Sequence, residues 1–310
     1  MRQKSGGTIQ MPVGLLLTIS IIAVSFAAIF VKWSDAPATI LSMYRMYLAC
    51  LLLFPIVWVK REQFFKLSSK DWLFLTVAGV FLGLHFALWF GSLKLTTVAS
   101  STIILSLQPI VALIGGFLFF KEKASKLIIL PIGISVVGVI MVGWGDFGYG
   151  SSAAMIGNLL SFLSVIAVVA YLLVGQSKVK NISHWIYSFC VFLFAGVALT
   201  IFNLVFSIPM VGYDAREWGI FVLLAIVPTI AHVIFNFLLK YVNTTTISMS
   251  ILGEPVGATL LAVILLGEQV LLFQIVGGVI VLLGVFLFLQ QQKKADRVRK
   301  RVEAEKNITA

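Results

Sequence analysis

Glu254 is the residue in this chain best placed to do chemistry. It stands in Ile251-Leu-Gly-Glu-Pro-Val-Gly-Ala-Thr259, a segment otherwise fit for lipid, and Pro255 follows it at once. Proline has no N–H for the helix ladder, and its ring crowds the carbonyl four residues back, here that of Ile251. A kink beside a carboxylate is therefore expected. Such a break is tolerated at membrane depth only where it faces protein or a water-filled cavity. An intramembrane carboxylate costs about 2.5–3.5 kcal/mol on insertion scales, so it is by default a functional-site hypothesis. Glu254 has two readings that do not exclude each other. One is proton or cation coupling, or a counter-charge for a cationic substrate group. The other is a structural ion pair with Arg45.

Six further side chains are singled out for substrate contact. Arg45, flanked by Tyr44 and Tyr47, sits about 10 Å below one end of its span at 1.5 Å per residue. It could grip a carboxylate with its forked donors or snorkel to the interface. His85 and Trp89 are four apart and share a helix face, as do His232 and Asn236. Imidazole changes charge near neutral pH and could relay protons, though it could equally be a hydrogen-bonded packing residue. Gln108 precedes Pro109 and could contact substrate or satisfy the carbonyl that the proline frees.

The polar-residue-then-proline pair occurs twice. Lys94 and Lys240, Pro109 and Pro255, Glu122 and Glu268, Gly138 and Gly284 all differ by 146, with no gap between them. Gln108 thus corresponds to Glu254. Interrupted helices at matching places in two halves point to a transporter site at the midplane.

The elements that must carry these residues are membrane helices. The chain is 60% hydrophobic and 11% charged, far below the roughly one-quarter charged of soluble domains. Continuous apolar runs argue against a barrel of alternating strands. Ten spans of about 20 residues are expected at 12–32, 38–59, 71–93, 97–119, 126–144, 153–174, 184–207, 217–239, 245–266 and 271–289. Residues 12–144 and 153–289 form two five-helix units, and 290–310 a basic tail. Because five is odd, the second unit is inverted, giving an all-α polytopic fold of two inverted repeats related by an in-plane pseudo-two-fold axis.

Of the 23 Lys and Arg, only Lys32, Lys94 and Arg216 fall on the side opposite the N-terminus, and Arg45 lies within a span. Both termini are therefore expected in the cytoplasm. The net charge of +11 reflects this orientation and a tail suited to an anionic leaflet, so no nucleic-acid partner is expected. Cys50 and Cys190 lie in apolar helices as small core side chains. No phosphate loop, zinc motif or nucleophile elbow is present. Neither an enzyme nor a cofactor is expected.

Taken in order, Tyr44-Arg45, His85 to Lys94 (HFALWFGSLK), Ser101 to Pro109, Lys121-Glu122, Leu252-Gly-Glu-Pro255 and Leu266-Gly-Glu268 resemble the drug/metabolite transporter superfamily, EamA-type branch. The likeness covers roughly residues 12–289. It implies a basket of ten helices around a central cavity lined by helices 3, 4, 8 and 9, and traffic in amino acids, nucleosides or drug-like compounds, often outward. The reading is a secondary transporter, an exporter in the cell membrane, with proton coupling through Glu254. A passive channel on the same scaffold and a non-transporting membrane interaction protein are the alternatives. Substrate identity and oligomeric state are left open.

Overall fold

The computed structural model describes residues 13–120, 129–148, 152–176, 183–238 and 252–308. Its elements are α1 (Val13–Trp33), α2 (Ala38–Val59), a short 3₁₀ turn (Arg61–Lys66), α3 (Ser69–Leu95), α4 (Val98–Leu105), α5 (Gln108–Phe120), α6 (Ile129–Gly148), α7 (Ser152–Gln176), α8 (His184–Val205), α9 (Ala215–Leu238), α10 (Gly253–Leu266) and α11 (Leu272–Ile308). The described residues are helical, with no strand among them. The helices α4 and α5 together make one interrupted span, so the described residues make ten, seven of them long and apolar enough by themselves to cross a membrane. Side chains such as Leu51, Trp58, Leu118 and Ile264 stand exposed on its outside. Apolar surface in that amount requires lipid to cover it.

Packing follows the repeat. The helices α3 and α9 each lie against two helices of the other half: α3 on α7 and α8, α9 on α1 and α2. The interrupted span packs on α7 as α10 packs on α1, while α2 meets α8 and α6 meets α11. Exchanging each span with the one five further on maps this set of pairings onto itself. Side-chain register agrees. A methyl group built on Gly138 would lie 2.7 Å from both the Gly277 carbonyl oxygen and Val281 Cγ2. Shifting both partners by 146 gives Gly284 against Pro131 and Ser135. A methyl on Gly284 would indeed meet the Pro131 carbonyl oxygen at 2.9 Å and the Ser135 nitrogen at 2.7 Å. Reciprocal contacts of this kind are what a two-fold axis generates. Five spans per half make the repeats inverted. Small residues here let backbones approach, since lipid supplies little hydrophobic force between helices.

Helix starts are matched too. Ser68 and Asp71 form a reciprocal capping box at α3, with Ser68 N donating to Asp71 Oδ2 at 3.0 Å and Asp71 N to Ser68 Oγ at 3.3 Å. The equivalent pair 146 residues on is Asp214 and Glu217. Glu217 N donates to Asp214 Oδ1 at 2.9 Å, which caps α9. That cap leaves the Glu217 carboxylate available to the neighbouring chain segment.

The fourth span breaks at Ser106–Leu107, one turn before the proline. Leu107 N donates to Ile104 O at 3.1 Å and Ser106 N to Ile103 O at 3.2 Å, shorter-range bonds that tighten the end of α4. The tail does not detach from the last span: α11 runs on as helix to Ile308.

Candidate functional site

Lys32, Lys94, Glu217 and Glu268 gather in one polar network at one end of the bundle. The turn after α10 explains why Glu268 reaches it. Gly267 adopts φ +67°, a left-handed conformation open to glycine, and Glu268 N closes back on Ala262 O at 3.2 Å. The chain is thereby turned so that Glu268 Oε2 accepts from Val98 N at 2.9 Å, at the N-terminus of α4, where the helix dipole favours an anion. Its other oxygen pairs with Lys32 Nζ at 3.2 Å, and Lys32 also donates to Thr96 O at 2.8 Å. Beside this pair, Glu217 accepts from Ser34 Oγ and from Asp35 N, the latter at 2.7 Å. Lys94 donates to the Ser34 carbonyl. This cap joins α1, α3 and α4 of the first half to α9 and α10 of the second. Asp35 meets Arg216 at 3.0 Å on the exposed rim.

Toward the midplane lies a cavity of about 370 Å³, within the size range of small-molecule sites. Arg45, His85, Trp89, Gln108 and Glu254 all line it. The side chains of His232 and Asn236 lie outside the described residues, although both positions fall on α9. A smaller space of about 90 Å³ lies where Gln108-Pro109 and Glu254-Pro255 face each other. The matched Gln108-Pro109 and Glu254-Pro255 pairs therefore meet near the pseudo-two-fold axis.

Arg45 and Glu254 share the cavity wall but are not among the described ion pairs, which require contact within 4 Å. The Arg45 guanidinium instead lies over the Phe86 ring, 4.0 Å from its centroid, a cation–π contact that stabilises the charge. Arg45 is 5% exposed, and its Nη1 has no hydrogen-bond partner. Trp89, 4% exposed, likewise leaves Nε1 unpartnered. Its ring stacks on His85 with centroids 6.1 Å apart and 14° between planes. His85 Nδ1 lies 2.9 Å from the Ser164 carbonyl oxygen, so Nδ1 carries the proton and donates. This bond ties α3 to α7 and fixes the ring's orientation. Ser25 on α1 approaches the Glu254 carbonyl oxygen at 3.4 Å and so holds the start of α10.

Sequence reasoning did not single out Tyr171, Ser188 or Thr229, which also line the cavity. Tyr171 and Ser188 lie on α7 and α8, outside the stretch that the 146-residue offset pairs. The cap was missed for another reason. Its partners stand far apart in sequence: 183 residues separate Ser34 from Glu217.

Comparison with known proteins agrees with this architecture. The model of the EamA-like transporter family matches residues 11–144 and again residues 155–290. A chain from Archaeoglobus fulgidus named "Uncharacterized transporter" is 25% identical over 282 residues, spanning 90% of this chain and 96% of that one. The Bacillus subtilis protein named "Uncharacterized transporter YxxF" is 26% identical over 308 residues, 95% of this chain and 93% of its own. A solved crystal structure superposes with a TM-score of 0.63 over 91% of this chain and 98% of its own, at 16% identity, a likeness of fold alone.

Proposed function

Because the chain belongs to the EamA-like transporter family, we propose that it is a secondary transporter exporting small amphipathic metabolites across the cytoplasmic membrane by alternating access. Membrane embedding and a small-molecule substrate come with the family. Direction, mechanism and substrate class are our reading, as is the absence of catalysis. One observation carries it: a cavity lined from both inverted halves, with a cap at one end that joins α1, α3 and α4 to α9 and α10. With the termini in the cytoplasm, as the Lys/Arg bias supports, that cap faces outward and the cavity loads from inside.

Rocking one repeat against the other would break the cap and open the cavity outward. Glu254 sits where such a movement is felt, at the start of α10 beside the axis. It could carry a coupling proton, released or taken up as the surrounding water changes. A ligand-stabilisation screen of purified protein with amino acids, nucleosides and amphipathic amines identifies a substrate, and counterflow of the best binder in proteoliposomes tests the mechanism. Uptake of labelled compound driven by unlabelled compound on the other side is the expected result. A linear leak with no trans-stimulation identifies a channel and overturns alternating access.

A further inference from the structure

We propose that Arg45 and Trp89 form an oxyanion subsite, so that the transported compound carries a carboxylate on a flat apolar body. The inference deepens the transporter reading and rests on it. Two N–H donors, Arg45 Nη1 and Trp89 Nε1, are buried at the cavity with no acceptor. Leaving a buried donor unpaired is costly, and more so when it is charged. The surroundings offer these groups π faces instead. Arg45 stacks on Phe86, and Phe86 and Trp89 lie with ring centroids 6.5 Å apart. The Phe86 contact is undirected within the ring plane. The guanidinium can therefore turn its Nη1 edge into the cavity without losing it.

Glu254 lines the same cavity and acts on the Arg45 charge through space, but the two are not within ion-pair distance, so it does not occupy the Nη1 donor. What the pair of donors lacks is an acceptor with two lone-pair directions and a negative charge. A carboxylate supplies both, and arginine binds that group with fixed geometry. The rings of His85, Phe86 and Trp89 on the same helix face then offer apolar area to a planar body. A neutral amide would satisfy the hydrogen bonds but not the charge. An amine would bring another cation to Arg45.

The test compares three probes of one shape: 3-phenylpropionate, 3-phenylpropionamide and 3-phenylpropylamine. Binding to the purified full-length protein is read by thermal stabilisation over a concentration series. The acid is expected to bind roughly tenfold or more tightly than the amide, with the amine weakest. Arg45→Gln should erase the difference between acid and amide. Trp89→Phe, which keeps a ring and removes the N–H, should weaken the acid about threefold to tenfold. If Arg45→Gln does not fold, the ranking on the unaltered protein and the Trp89→Phe result decide the matter. Equal binding of the three, no binding of the acid, or an acid affinity untouched by Trp89→Phe overturns the subsite. Counterflow of the acid separates the two proposals. Ranked binding without counterflow sinks the transport mechanism and keeps the subsite, while counterflow without head-group ranking does the reverse.

Discussion

At the capped end of the bundle, every charged group of the cap has a partner: Glu217 accepts from Ser34 and Asp35, Glu268 holds Lys32 and the start of α4, and Lys94 holds a carbonyl. In the cavity, Arg45 and Trp89 keep donors with no acceptor, and Glu254 shares the wall with Arg45 without an ion pair within 4 Å. Both regions cross the two halves and both are polar in a membrane. The difference teaches what each is for. A satisfied network holds one arrangement of the repeats, whereas the unpaired donors of Arg45 and Trp89 are costly to that arrangement and, on our proposal, are met by the ligand.

The largest effect should come from breaking the cap at its centre. Glu217→Ala strands the Asp35 N–H and the Ser34 hydroxyl and removes the anion beside Lys94. The expected loss is about 3 kcal/mol, read as a lower melting temperature in detergent. Should the melting temperature hold, the cap is not a closure. Glu254→Gln should do the opposite, shifting stability by less than about 1 kcal/mol, because the side chain enters no described ion pair. It should instead flatten the pH dependence of transport. A large loss of stability together with an unchanged pH profile would move Glu254 into the structural class.

Much of this contrast could be read in the residues beforehand, and some could not. The offset of 146 identifies the inverted halves, and its reciprocal contacts around Gly138 and Gly284 show how closely local register follows it. Arg45, His85, Trp89, Gln108 and Glu254 stood out because polar groups are rare in apolar spans, and the fold brings all five to one cavity. The cap left no such mark. Nothing in the sequence sets Lys94 and Glu268 apart from other helix-end charges, because their partners come from distant turns. The same offset pairs Ser68 and Asp71 with Asp214 and Glu217, yet only the structure shows that Glu217 both ends a cap and bridges to α1.

Smaller effects sharpen the comparison. The Lys32–Glu268 pair is mostly buried, at 23% and 14% side-chain exposure. A double-mutant cycle with Lys32→Met and Glu268→Gln should give a coupling of about 1 kcal/mol, measured by denaturation in detergent. A coupling near zero would reduce the pair to proximity. The smallest effect should come from the rim. Arg216 and Asp35 pair while 59% and 86% exposed. Asp35→Asn should cost no more than about 0.5 kcal/mol, so a loss as large as that of Glu217→Ala would place the closure at the rim instead.

The most direct test asks which side can reach the cavity. Thr229→Cys, at the cavity wall, is placed in a chain with Cys50 and Cys190 replaced by alanine, and a membrane-impermeant maleimide is added to vesicles of known orientation. The account predicts labelling from the cytoplasmic side alone in the capped protein, with labelling from the outer side appearing once Glu217→Ala opens the cap. Equal labelling from both sides with the cap intact, or none from outside after it is broken, would contradict it.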